Sequence, residues 1–171
     1  MANIQTHIDE LINYPAKVIN AIAGSQEVVG LMLDDPNIDM DSELAESVRD
    51  HLYDFDYIDD TVQEEGVLIM VDSDIVDMPN PNVSNIEVYV QIFVNKHYMR
   101  LDPSKFTGVK GNRRDNIARQ VDLLLRGRRD FGIGRLELVS AITANVPKKF
   151  TSKMLTYTVP NYGVNKELVK N

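Results

Sequence analysis

Few residues in this sequence could do chemistry of a recognisable kind, and each set points to a different chemistry. His7, His51 and His97 could ligate a metal, but they lie in unrelated segments and lack the H-x-x-x-H spacing that puts two imidazoles on one helix face. They read as ordinary surface or boundary residues. Asp54, Asp56, Asp59 and Asp60 have the carboxylate density of a calcium loop. The run lacks the glycine of the sharp turn and the closing bidentate glutamate, and Phe55 and Tyr57 interrupt it, so it reads as a solvated acidic loop. Asp72, Asp74 and Glu87 are carboxylates near strands, as a metal-dependent nuclease would need. Val88 and Tyr89 stand where such a set would be completed by a lysine. Gly132 and Gly134 in F-G-I-G-R lack a third glycine and precede a strand, whereas a phosphate site wants a helix N-terminus. They read as a helix-to-strand turn. Asn82-Val83-Ser84 fits a glycosylation sequon, but nothing directs the chain to a secretory pathway. With no G-x-S-x-G and no cysteine, nucleophile elbows, disulfides and thiolate-bound zinc are excluded. The sequence predicts no catalytic residue, no metal site, no cofactor and no enzyme.

Charge is the stronger signal, because it is divided along the chain. Residues 1–99 hold three basic and twenty acidic side chains, while residues 100–171 hold fifteen basic and six acidic ones. The net charge of −8 therefore hides two oppositely charged halves. They can face each other within one fold, or stack acidic face to basic face between copies. The basic side chains concentrate at Arg100, Lys105, Lys110, Arg113, Arg114, Arg119, Arg126, Arg128, Arg129 and Arg135, with Gly108 and Gly111 lending flexibility. Such density could neutralise nucleic-acid phosphates. It could equally pair, through bidentate arginines, with an acidic partner face made by Glu43, Glu46, Asp50, Asp54, Asp56, Asp59 and Asp60. An acidic protein without a reading helix or an aromatic stacking platform favours protein–protein pairing over DNA.

The elements that must position these charges follow from hydrophobic periodicity. Ile4, Ile8, Leu11 and Ile12 recur at helical spacing, and Pro15 breaks or restarts the turn before Val18, Ile19, Ile22 and Ala23. Ser25 is placed to cap a short helix that Pro36 closes, and Asp41 or Ser42 to start one reaching Tyr53 with Leu44, Val48 and Leu52 inside. Val67–Val71 reads as a strand followed by a turn-rich loop at Pro79–Asn82, and Asn85–Asn95 alternates strictly. Asn112–Arg126 reads as an amphipathic helix with Ile117, Val121, Leu124 and Leu125 inward and Arg113, Arg114 and Arg119 outward, ended by Gly127. Leu136–Ile142 and Leu155–Val159 alternate again, and the tail after Gly163 has little to bury. The expected class is α+β: a four-stranded, mainly antiparallel sheet (β-β-α-β-β) packed by a helix. An N-terminal helical region would occupy residues 1–60 and the sheet domain residues 61–171. MANIQTHIDELI lacks the basic and apolar regions of a signal peptide, so secretion by that route is not expected, and no apolar run nears the roughly 20 residues of a membrane span.

The stretch G-V-K-G-N-R-R-D-N-I-A-R-Q-V-D-L-L-L-R-G-R-R-D-F-G-I-G-R-L-E-L-V-S-A, with S-N-I-E-V-Y-V-Q-I-F-V-N-K-H before it, resembles neck and tail-completion (tail terminator) proteins of tailed bacteriophages and related particles. The resemblance covers residues 62–162, lies in element order, and leaves the N-terminal helices outside. It implies a virion structural protein, assembled in the host cytoplasm, that forms a homo-oligomeric ring of six copies at the head-proximal end of the tail. The ring would stop tube growth and contact both the tail tube protein and the head–tail connector; a head-completion or connector adaptor is the alternative within the same class. Lys105, Lys110, Arg113, Arg114, Arg119, Arg126, Arg128 and Arg129 would then lie at subunit interfaces or the lumen, meeting DNA without sequence preference. The loop Asp102–Asn112 is the candidate lumen- or tube-facing surface. A non-enzymatic nucleic-acid-binding protein is the competing class.

Overall fold

The computed structural model describes residues 7–55, 66–80, 83–132, 134–144 and 149–162. The expectations for Ile4, Asp56, Asp59, Asp60, Pro81, Asn82, Ile133 and the tail from Gly163 lie outside these residues. Helices α1 (His7–Ala23), α2 (Gln26–Leu33) and the single turn α3 (Glu43–Glu46) come first, and a 3-10 segment (Ser47–His51) follows. Then come β1 (Leu52–Tyr53), β2 (Val67–Asn80), β3 (Val83–Asn95), α4 (Arg113–Leu125), β4 (Glu137–Ala144) and β5 (Phe150–Tyr162). The sheet order is β1-β2-β3-β5-β4, antiparallel throughout except for the β1–β2 pair. The α+β class and the four long strands are as expected. The fifth strand is an addition, because Leu52 leaves the helix early and pairs with Ile69.

One sheet face carries the core. Ile86, Val88, Val90, Ile92 and Val94 of β3 are buried there beside Val71, Leu155, Tyr157 and Val159. Tyr14, Val18 and Ile22 of α1, Val28, Val29 and Met32 of α2, and Ile117, Val121 and Leu125 of α4 pack into the same cluster. The N-terminal helices therefore lie on the sheet. Their buried stripe is Tyr14, Val18, Ile22, however, and Ile8 and Ile12 point outward.

Two corrections concern strand and helix ends. The β2 strand does not stop at Val71 but runs on to Asn80, because β3 is long enough to pair with it across Asp72, Asp74 and Asp77. Helix α1 is not broken at Pro15. A proline there has no N–H for the carbonyl of Leu11 four residues earlier, which would leave that oxygen without its helical donor. Ser73 of β2 replaces it, its buried hydroxyl donating to the Leu11 carbonyl at 2.9 Å. The proline thus becomes a docking point of helix on sheet. Ser73→Ala should cost about 1–2 kcal/mol in urea denaturation. In a Pro15→Ala background the loss should shrink, because residue 15 regains a donor for the same carbonyl. Strictly additive losses in that double-mutant cycle would refute the link.

Candidate interaction surfaces

The region where acidic and basic halves meet is built from three turns. Ser25 caps α2, accepting from the Val28 amide at 3.3 Å, and the helix ends at Asp34 in the left-handed region (φ 60°). The chain turns back so closely that a Cβ on Gly30 would sit 2.7 Å from the Asp35 carbonyl oxygen. Glycine is required by that approach. In the loop before α4, the Asp102 carboxylate accepts from the Ser104 amide and hydroxyl at 2.9 and 2.7 Å. Its carbonyl takes the amides of Lys105 and Phe106. Leu101 and Phe106 are buried, and Gly108 and Gly111 hold positive φ values that glycine tolerates best. Asn112 then caps α4, its side-chain oxygen accepting from the Asp115 amide at 2.9 Å.

Arg113 opens that helix and is 1% exposed, which corrects the expectation that it faces outward. It stands four and eight residues before Ile117 and Val121, on the inward stripe of α4. Its guanidinium donates to the carbonyls of Leu31 and Tyr98 and forms an ion pair with Asp34. It also lies 4.0 Å from the Tyr98 ring centroid. Lys105 reaches the same carboxylate at 2.7 Å. Burial alone would raise the pKa of Asp34, but hydrogen bonds and charge from Lys105 and Arg113 outweigh it and hold the carboxyl below its ordinary value.

The other predicted basic residues divide between local pairing and freedom. Arg114 donates to Thr151 Oγ1 of β5 at 2.6 Å and pairs with Asp115, which Lys153 also reaches. Arg126 pairs with Asp122 one turn earlier, and Arg128 with Asp130 while lying over the Phe131 ring. Lys110, Arg119 and Arg129 are exposed and make no ion pair with a described residue, and the same holds for Arg100 and Arg135. On the acidic side, Glu43, Glu46, Asp50 and Asp54 are all exposed and equally without an ion pair among the described residues. Asp34, absent from the predicted acidic face, is the carboxylate that joins the halves. Its signal was its place at the C-cap of α2, just before Pro36.

The remaining candidates are placed as follows. His51 and His97 sit in separate 3-10 segments, and His7 at the start of α1. Asp74 faces Glu87 across the β2–β3 register, and Asp72 faces Tyr89, whose hydroxyl donates to Glu87 at 2.6 Å. Among the described residues no group of three His, Cys, Asp or Glu is arranged to hold a metal ion. Two depressions of about 210 and 200 Å³, one lined by Met32, Val48, His51 and Tyr98 and the other by Met70, Asp72, Tyr89 and Met154, fall below the usual volume of a small-molecule site. Among the described residues no helix is long and apolar enough to cross a membrane.

Comparison with known proteins adds three findings. The sequence model of a family described as YomW matches residues 6–159, so the match takes in the N-terminal helices as well as the sheet. A chain of the structure described as "Virion of native gene transfer agent (GTA) particle" is 18% identical, with a TM-score of 0.46 over 84% of this chain and 98% of that one. No curated protein matches the sequence.

The folded-state carboxyls of Asp34, Asp115 and Asp130 all lie below their ordinary value. The unfolded chain therefore takes up protons first on acidification, so their contribution is complete above about pH 4 and is lost as pH falls through the folded-state values. Stability should be flat from pH 7 to about pH 5 and drop below about pH 4. Asp34→Asn leaves the buried guanidinium without its counter-charge and should cost about 3 kcal/mol at neutral pH. Urea midpoints measured across pH should also show a shallower acid slope for this variant; an unchanged slope would remove Asp34 from the account.

Proposed function

We propose that this chain, which belongs to the YomW family, is a structural subunit of a phage or phage-like virion. In this reading it forms a ring at the head-proximal end of a tail, where it ends the tube and contacts the head connector. Binding through surfaces, without catalysis, is its work.

The observation that carries the reading is charge left unspent by folding. Only Asp34, among the acids of α2, α3 and the segments joining them, takes a basic partner from the α4 region. Glu43, Glu46, Asp50 and Asp54 remain exposed on one side of the chain's charge division, and Lys110, Arg119 and Arg129 on the other. Two unlike surfaces on one subunit make heterologous contacts, which close into a ring when the rotation between copies permits. Complementary potentials of this kind set register and exclude wrong partners more than they add raw affinity. The resemblance of its sequence pattern to tail-completion proteins supports this biological setting.

Native mass spectrometry across protein concentration and salt tests the reading. A discrete closed oligomer is expected at about 0.1 M salt, loosening towards 1 M as the screening length shrinks from about 10 to 3 Å. A protein that stays monomeric at every concentration and is not incorporated into tail particles would overturn it.

A further inference from the structure

The part of the sheet that runs past β4 combines acidic and exposed apolar side chains. The β3–β5 pairing continues to Val83 and Tyr162, whereas β4 is paired only as far as Thr158. The β2–β3 hairpin and the end of β5 thus run about 13 Å past β4, an arm of four residues at strand rise. Asp77 is exposed on it, Asp72 and Asp74 are exposed on the stretch of β2 that leads into it, and Val76 and Met78 stand 48% and 47% exposed. No Lys or Arg occurs between Arg49 and Lys96, so nothing on this hairpin offsets the acids.

The outer face of α4 has the opposite character. Arg119, Leu123 and Arg126 recur at i, i+4 and i+7, on the side away from Ile117, Val121 and Leu125. Leu123 is 64% exposed, Arg119 makes no ion pair among the described residues, and Arg126 keeps most of its surface in solvent beside Asp122. Arg129 continues the positive field beyond the helix. An exposed leucine between two arginines complements an exposed methionine and valine among aspartates. The exposure of Met78 and Leu123 shows that they do not cover each other within one subunit.

We infer that the acidic tip of the β2–β3 arm docks on the Arg119–Leu123–Arg126 face of α4 in a second copy of this chain. The contact rests on the ring reading above and gives it a place: one arm per subunit, each seated on its neighbour's helix. Apolar side chains supply the buried centre, and the charges select the partner and its orientation.

The absence of native cysteine allows a direct test. A chain carrying both Met78→Cys and Leu123→Cys, mildly oxidised at low salt, should give a ladder of covalent oligomers on a non-reducing gel. Either single variant should give none. No ladder in the double variant, or a strong dimer from Met78→Cys alone, would overturn the contact. Charge reversal gives an independent readout. Asp74→Lys with Asp77→Lys, or Arg119→Glu with Arg126→Glu, should raise the concentration needed for assembly at least about tenfold, and all four changes together should recover much of that loss. A native oligomer that persists without the ladder would refute this contact and leave the ring reading standing.

Discussion

The fold turns on one buried cation. Arg113 brings a guanidinium into the interior, where an unpartnered charge would be prohibitively costly, and the surrounding structure answers it almost donor by donor. The carbonyls of Leu31 and Tyr98, the Asp34 carboxylate and the Tyr98 ring come from two separate segments, and Arg113 itself from a third. The end of α2, the loop after β3 and the start of α4 are thereby fixed to one another. Each has to be locally specified for this to work: Gly30 for the close return of the chain, Asp34 for the left-handed cap, and Asn112 for a helix that begins with Arg113 already pointing inward. A lysine in that position would bring a single ammonium to a site with three separated acceptors and a ring to stack on.

That one interaction uses the charge division only once. The rest of the arginine-rich segment is neutralised locally, by Asp115, Asp122 and Asp130 in its own half, or left free. Had the acidic helices and basic segment been made to satisfy each other, several ion pairs would span the subunit as the one at Asp34 does. Among the described residues Asp34 instead carries that pairing alone, with Lys105 beside it. Surface charges contribute little to folding stability in any case, so their segregation is better explained by what the subunit meets than by how it folds.

Legibility in the sequence follows the same physics. The β3 alternation was plain because one face is buried along its whole length, and the starts at Ser25 and Ser42 were plain because their side chains bond where the spacing says they should. The far half of β2 was hidden by Asp72, Asp74, Asp77 and Pro79, residues that disfavour strands, until pairing with β3 overrode them. Arg113 was misread because arginine is assigned outward by type, although its spacing from Ile117 and Val121 placed it inward. Ile8 and Ile12 failed in the reverse direction: they are apolar and periodic, yet the stripe beginning at Tyr14 is the one that meets the sheet. Gly108 and Gly111 suggested flexibility by composition, while their positive φ values sit in a loop anchored by Leu101, Phe106 and Lys105.

The sheet's margins extend the same logic beyond the subunit. A monomeric protein usually blunts an edge strand with lysine, proline or a covering element. On β4 the residues Glu137–Ala144 contain neither, and Val139 and Ile142 are more than half exposed. A register shift between Leu138 and Ser140 bends the strand locally, which limits indiscriminate pairing without covering the edge. At the other margin β1 pairs with β2 at Ile69 and Met70, and among the described residues no further strand lies beside the acidic half. The negative charge there repels like edges, so two arms are discouraged from pairing with each other while a basic surface is favoured. An edge uncovered among the described residues, a charge-guarded arm and an arginine face on one chain are the features that the proposed contact between copies would use.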